Sequence, residues 1–154
     1  MIGMKRILTF AIFTSCIQLG VMSLQPAGAV SITVIGHWNP KIEVFPLSAG
    51  RSAGPKGDYK SAVNQVRLSI SGSSGPWKVY VRREDTNWHG NFVLKLTKTS
   101  GKTRPTVVAQ DMDTEFFSGD GDGNFNVQII LEGVSLAVPP DSYTAKLIYT
   151  VTEE

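Results

Sequence analysis

The densest run of side chains able to do chemistry is acidic: Asp111, Asp113, Glu115, Asp120 and Asp122, with Asn124 just beyond. Hard carboxylate oxygens on a glycine-bearing loop are what Ca²⁺ takes, and Asp120-Gly121-Asp122-Gly123-Asn124 opens like an EF-hand loop. The match stops at Phe125, where the hand needs Gly, and at Leu131, where it needs a bidentate Glu. A solvated acidic turn is therefore the first reading of this stretch, and a Ca²⁺ site built from Asp111, Asp113, Asp120 and Asp122 the second. No other cofactor is expected. Paired carboxylates for glycoside hydrolysis can be drawn from the same residues, but acids on loops are too common for that pairing to be specific.

Nucleophilic catalysis needs a base, and the histidines are His37, beside Trp38, and His89, after Asn87-Trp88. No serine sits in a Gly-x-Ser-x-Gly elbow, and neither His-x-His nor His-Glu-x-x-His spacing occurs. The one cysteine, Cys16, lies in the apolar N-terminal segment, so it offers neither a thiolate nucleophile nor a disulfide to the rest of the chain. An enzyme is not expected. Recognition through aromatic side chains is the alternative chemistry: Trp38 and Trp88 fall in or beside loops, and Tyr59 follows a glycine-rich segment. Such rings either stack on a ligand such as a carbohydrate or fold back onto the domain.

The elements that must position these residues begin after an export signal. Lys5 and Arg6 form a basic start, residues 7–21 an apolar stretch interrupted by Thr14, Ser15 and Gln18, and Ala27-Gly28-Ala29 a small-x-small cleavage site. Residues 1–29 are read as a signal peptide and 30–154 as one secreted domain, in the periplasm or at the cell surface. A lipoprotein reading of Phe13-Thr14-Ser15-Cys16 departs from the usual box, which has Leu where Phe13 stands. Lys5 and Arg6 are the only charges in the signal, so removing them from the 15 Lys+Arg leaves 13 against 13 Asp+Glu. A formally neutral domain without a basic stripe is not expected to bind nucleic acid, and no later segment is apolar enough to span a membrane as a helix.

From Val30 onward apolar residues recur with period two, broken by Gly, Pro, Ser, Asn and Asp, which predicts antiparallel strands with one face buried. Ile32 and Val34 mark a first strand, and Ile42 and Val44 a short edge segment between Pro40 and Pro46. Residues 48–57 read as a glycine-rich loop. Val66, Leu68 and Ile70, a Ser-Gly turn, then Trp77, Val79 and Val81 read as two strands and their connection. Phe92, Leu94 and Leu96, a short run at 106–110, and Phe125, Val127, Ile129 and Leu131 supply three more. A terminal strand carries Tyr143, Ala145, Leu147, Tyr149 and Val151 on one face. With no helical period anywhere, the expected fold is all-β, an immunoglobulin-like antiparallel sandwich of about seven to eight strands with Trp77 in its core.

The C-terminal run Pro-Pro-Asp-Ser-Tyr-Thr-Ala-Lys-Leu-Ile-Tyr-Thr-Val-Thr, from Pro139 to Thr152, resembles the final strand of bacterial fimbrial and spore-coat-protein-U-like subunits. That resemblance implies a secreted, non-enzymatic structural or adhesive surface protein. Its subunits would join by strand addition to one another, or to a secretion and assembly chaperone. It further implies that Tyr143, Ala145, Leu147, Tyr149 and Val151 face the core from the last strand, and that residues 31–36 donate Ile32 and Val34 to a neighbouring subunit. Members of those families commonly carry a cysteine pair, which residues 30–154 lack. The alternative function is an extracytoplasmic module binding carbohydrate or Ca²⁺ through Trp38, Trp88, Tyr59 and the acidic stretch.

Overall fold

The computed structural model describes residues 6–14, 29–44, 58–135 and 137–154. The expected loop at 48–57, Cys16 and the Ala27-Gly28 part of the cleavage site lie outside the described residues. Twelve strands are present among them and no helix: β1 (Arg6–Thr14), β2 (Ser31–Ile35), β3 (His37–Trp38), β4 (Lys41–Val44), β5 (Asp58–Lys60), β6 (Val66–Ser71), β7 (Pro76–Asn87), β8 (Val93–Lys98), β9 (Thr106–Val108), β10 (Thr114–Asp120), β11 (Gly123–Glu132) and β12 (Ser142–Glu153).

They form an all-β sandwich of two sheets. The first runs β10-β7-β12-β1-β3, with β4 also paired to β1, and the second runs β2-β6-β11-β8-β9, with β5 also paired to β11. Among the described residues every ladder is antiparallel except one, the parallel pairing of β1 with β12.

The alternation of apolar residues turns each strand's inner face into the core. Val66, Leu68 and Ile70 of β6, Leu94 and Leu96 of β8, and Val127, Ile129 and Leu131 of β11 are buried from the second sheet. Trp77, Val79 and Val81 of β7 and Tyr143, Leu147 and Tyr149 of β12 are buried from the first. Trp77 meets Phe117 and Phe125 edge-on, with centroids 5.9 and 5.5 Å away, and its Nε1–H donates to the Gly121 carbonyl at 2.8 Å. Buried at the end of β8's inward row, Lys98 extends its ammonium over the rings of Phe117 and Phe125, 5.1 Å from each centroid.

The twelve strands exceed the expected seven to eight by β1, β3, β5 and β10, since the short β3 and β5 carry too few residues to show a period, and two of the four depart furthest from the reading. The acidic stretch is not one loop, because Thr114–Asp120 is strand β10. A register shift between Glu115 and Phe117 puts an extra residue into β10, and adjacent Phe116 and Phe117 are both buried beside it. That bulge broke the period by which a strand is read. The second departure is β1, a strand inside the segment read as signal.

A single residue, Gly36, lets the chain cross from the second sheet to the first. Its φ of +130° belongs to the region open to glycine, and a Cβ there would lie 2.2 Å from the Gln65 carbonyl oxygen. β2 before it pairs with β6, whereas β3 after it pairs with β1.

Candidate strand-accepting site

β12 is bordered on its two sides by different partners. On one side β7 pairs with it from Thr144 to Glu153, with a register shift between Thr144 and Ala145. On the other side β1 runs parallel to it over Thr9↔Ser142, Phe10↔Tyr143, Ala11↔Thr144, Ile12↔Ala145, Phe13↔Lys146 and Thr14↔Leu147. The far side of β1 is closed by β4, in the register Arg6↔Val44, Ile7↔Glu43, Leu8↔Ile42 and Thr9↔Lys41, and by β3 at Ile12↔Trp38 and Phe13↔His37.

This arrangement defines a slot one strand wide. With about 4.8 Å between neighbouring strands, β12 and the β3–β4 segment stand roughly 9.6 Å apart, and one extended backbone fills the gap. Among the described residues β3 and β4 pair with β1 alone. The slot's walls are core residues: Tyr143, Ala145 and Leu147 are buried on β12, Ile42 is buried on β4, and Trp38 of β3 is half-buried against the core. Alternate positions of the occupant, 8, 10, 12 and 14, stand in register with Ile42, Tyr143, Ala145 and Leu147. A strand in that position has main-chain partners on both sides.

Around the mouth of the slot, Tyr143 packs edge-on against Phe92 at 4.9 Å and donates its hydroxyl to the Pro139 carbonyl at 2.7 Å. Asn87 Nδ2 donates to the Ser142 carbonyl at 2.7 Å, and the Asp141 carboxylate accepts from the Ser142 N–H at 2.7 Å. These contacts fix where β12 begins. Further along, Tyr149 is buried and its hydroxyl has no partner among the described residues, and burial pushes its pKa well above the ordinary tyrosine value. Val151 is half-buried against the core.

The remaining residues singled out by sequence lie elsewhere. Ile32 and Val34 are half-buried on β2, which pairs with β6 of its own domain at an edge of the second sheet. Tyr59 is half-buried on β5, opposite Leu131. Trp88 is half-buried just past β7, edge-on to Phe92 at 5.3 Å and covered by the Arg83 guanidinium 5.0 Å from its centroid. Its buried indole Nε1 has no acceptor among the described residues. Trp38, Tyr59 and Trp88 thus each pack on the core and do not share one exposed platform.

The carboxylates divide between the two ends of β10. Asp111 and Asp113 precede that seven-residue strand, while Asp120 is its last residue and Asp122 lies in the hairpin beyond, separated from the first two by roughly 23 Å of extended backbone. Asp122 instead accepts a hydrogen bond from the Ser73 N–H at 3.1 Å, tying two turns together. Among the described residues no three His, Cys, Asp or Glu side chains come together as a metal would require. His89 packs against Phe92 and Tyr143, and its Nδ1 accepts from the Asn91 N–H at 3.3 Å.

Sequence reasoning missed the slot's occupant. The signal available was composition: Ile7, Phe10, Ile12 and Phe13, with Thr9 and Thr14, are strand-favouring side chains in a segment read only for its length and apolarity. The fold and slot define a class, an all-β sandwich in which residues 6–14 pair in parallel along β12. No protein-family model and no curated protein matches this chain. Among the described residues no helix is long and apolar enough to cross a membrane.

Proposed function

We propose that the protein is an exported, non-enzymatic structural subunit, pilin-like or coat-like, that assembles by accepting a neighbour's strand beside β12. The observation carrying this reading is that the strand lying along β12 comes from residues 6–14, inside the segment read as an export signal. Once residues 1–29 are removed, β12 keeps only its β7 ladder and the slot stands open. An open ladder bordered by buried apolar side chains is a template for another strand.

The neighbour's donor is residues 31–36. β2 sits at an edge of the second sheet and is held there by its single ladder to β6, so it leaves at the cost of one set of pairings. Its Ile32 and Val34 provide the alternate apolar residues that the row Tyr143, Ala145 and Leu147 calls for. The partner is accordingly a second copy of the chain, with an assembly chaperone presenting the same chemistry during export.

Light scattering on the 30–154 protein across a concentration series tests this. The expected result is multimers that survive dilution and disappear when residues 30–36 are deleted. A monodisperse monomer at every concentration would overturn the reading, and unchanged assembly after the deletion would remove 31–36 as donor.

A further inference from the structure

We propose that the protein also pairs with a second copy of itself across a two-fold axis, through residues 148–152 in the second half of β12. β12 runs from Ser142 to Glu153, and β7 borders one side of it as far as Glu153. On the other side β1 reaches only to Leu147, and among the described residues no strand pairs with β12 beyond that point. β2 does not fill the place, because it precedes the crossing at Gly36 and belongs to the second sheet, across from β12 rather than beside it. The contact goes beyond the strand addition proposed above, since it uses neither the ladder at 142–147 nor residues 31–36.

The bare half-strand lacks every device that keeps sheet margins apart. Native margins are guarded by charges, bulges, proline or shortness. β10 carries Glu115, Asp120 and a register shift between Glu115 and Phe117, and β9 is three residues long and follows Pro105. Ile148-Tyr149-Thr150-Val151-Thr152 has no charge and no proline, and the register shift of β12 lies away from it, between Thr144 and Ala145.

A second copy is the occupant because this stretch complements itself. With Thr150 opposite the second copy's Thr150, Tyr149 meets Val151 and Ile148 meets Thr152, each twice by symmetry. Val151 is only half-buried against the core, and the second copy's Tyr149 ring covers it. A slip of one residue would set inward side chains against outward ones, so the register is fixed. Charge agrees beyond the paired stretch, where Glu154 of each copy heads toward Lys146 of the other. Glu154 already meets Lys78 and Lys146 lies 3.7 Å from Glu84, so the contact joins ion pairs of opposite sign into one network. Five residue pairs make a small interface, and the dimer therefore forms and dissociates with concentration.

The test is sedimentation equilibrium of the full chain, purified as the cell leaves it, in Thr150→Lys and Thr150→Glu forms, each alone and mixed in equal amounts. Thr150 is exposed, and urea midpoints matching the parent's check that both variants keep the fold. Like charges directly opposite one another weaken a cross-strand pair, and opposite charges strengthen it. Each variant alone should associate several-fold more weakly than the parent, and the mixture should regain the parent's association. That pattern requires position 150 to meet itself. Variants that associate like the parent, or a mixture no heavier than its components, overturn the two-fold contact and leave strand addition standing. Assembly that survives deletion of 30–36 yet shows the position-150 pattern keeps the two-fold contact and removes 31–36 as donor. A parent chain that is monomeric at every concentration overturns both.

Discussion

Gly119→Ala tests whether the Trp77 clamp is as tight as its geometry. Gly119 lies directly opposite Trp77 in the β10–β7 ladder, and a Cβ on it would sit 2.5 Å from the ring's Cη2 and Cζ2 atoms. Carbon atoms settle at about 3.5–4.0 Å, so the indole has to retreat by about 1 Å. It has little room. The ring is buried, wedged edge-on between Phe117 and Phe125, and its Nε1–H is committed to Gly121 at 2.8 Å.

Overpacking of this kind costs about 1–3 kcal/mol, and stretching the indole hydrogen bond adds about 0.5–1.5 kcal/mol. Against this, replacing Gly by Ala restricts the unfolded chain and returns about 0.4–1 kcal/mol. The net expectation is a loss of about 0.5–4 kcal/mol, read as a lower urea midpoint by far-ultraviolet circular dichroism. In a Trp77→Leu background the obstructing ring atoms are gone, so the same Gly119→Ala change should be neutral or slightly stabilising. If Gly119→Ala costs the same in both backgrounds, the ring contact is not its cause. If it costs under about 0.5 kcal/mol in the parent chain, Trp77 is not held where the distances place it.

Two further outcomes are expected. Because burial raises the Tyr149 pKa in the folded state, its stabilising contribution is complete below the unfolded value near 10. It falls by about 1.4 kcal/mol per pH unit above that value, until the folded group ionises. Melting temperatures from pH 8 to 11 should therefore drop more steeply for the parent than for Tyr149→Phe; identical slopes would refute a buried hydroxyl. Gly36→Ala should cost about 1–3 kcal/mol because φ is +130° and the Gln65 carbonyl stands in the way. Hydrogen exchange should locate the loosening in β2 and β3, and unchanged protection there would show that the crossing between sheets does not depend on Gly36.

Fold class was legible because two-residue periodicity is a direct consequence of one buried face per strand. Val66-Leu68-Ile70, Trp77-Val79-Val81 and Val127-Ile129-Leu131 each write their sheet face into the sequence, and all nine are buried. Where the period is disturbed, reading fails. The bulge at Phe116 buries two neighbours in succession, and flanking acids then dominate the impression left by 111–124. Trp88 looks like a loop aromatic beside Asn87 and His89, yet Arg83 and Phe92 fold it inward from positions that spacing alone does not connect. The slot was the least legible feature, because β1 and β12 come from opposite ends of the chain and a parallel pair needs no turn between them to announce it.

The slot also restricts what can enter it. Net of water, each main-chain hydrogen bond contributes about 0.5–1.5 kcal/mol, while ordering each residue of a free strand costs about 1–2 kcal/mol. Backbone pairing along the six register positions of β12 therefore comes out near zero or unfavourable by itself. Burying an apolar side chain contributes about 1.5–3 kcal/mol, so the balance is decided at the alternate positions that meet Tyr143, Ala145 and Leu147. A one-residue slip turns that row of side chains away from the core, which makes register as selective as composition. Any extended chain can offer the hydrogen bonds, but only one with apolar residues at every second position gains enough to stay. Both 6–14 and 31–36 belong to that group, with Leu8, Phe10 and Ile12 in one and Ile32 and Val34 in the other.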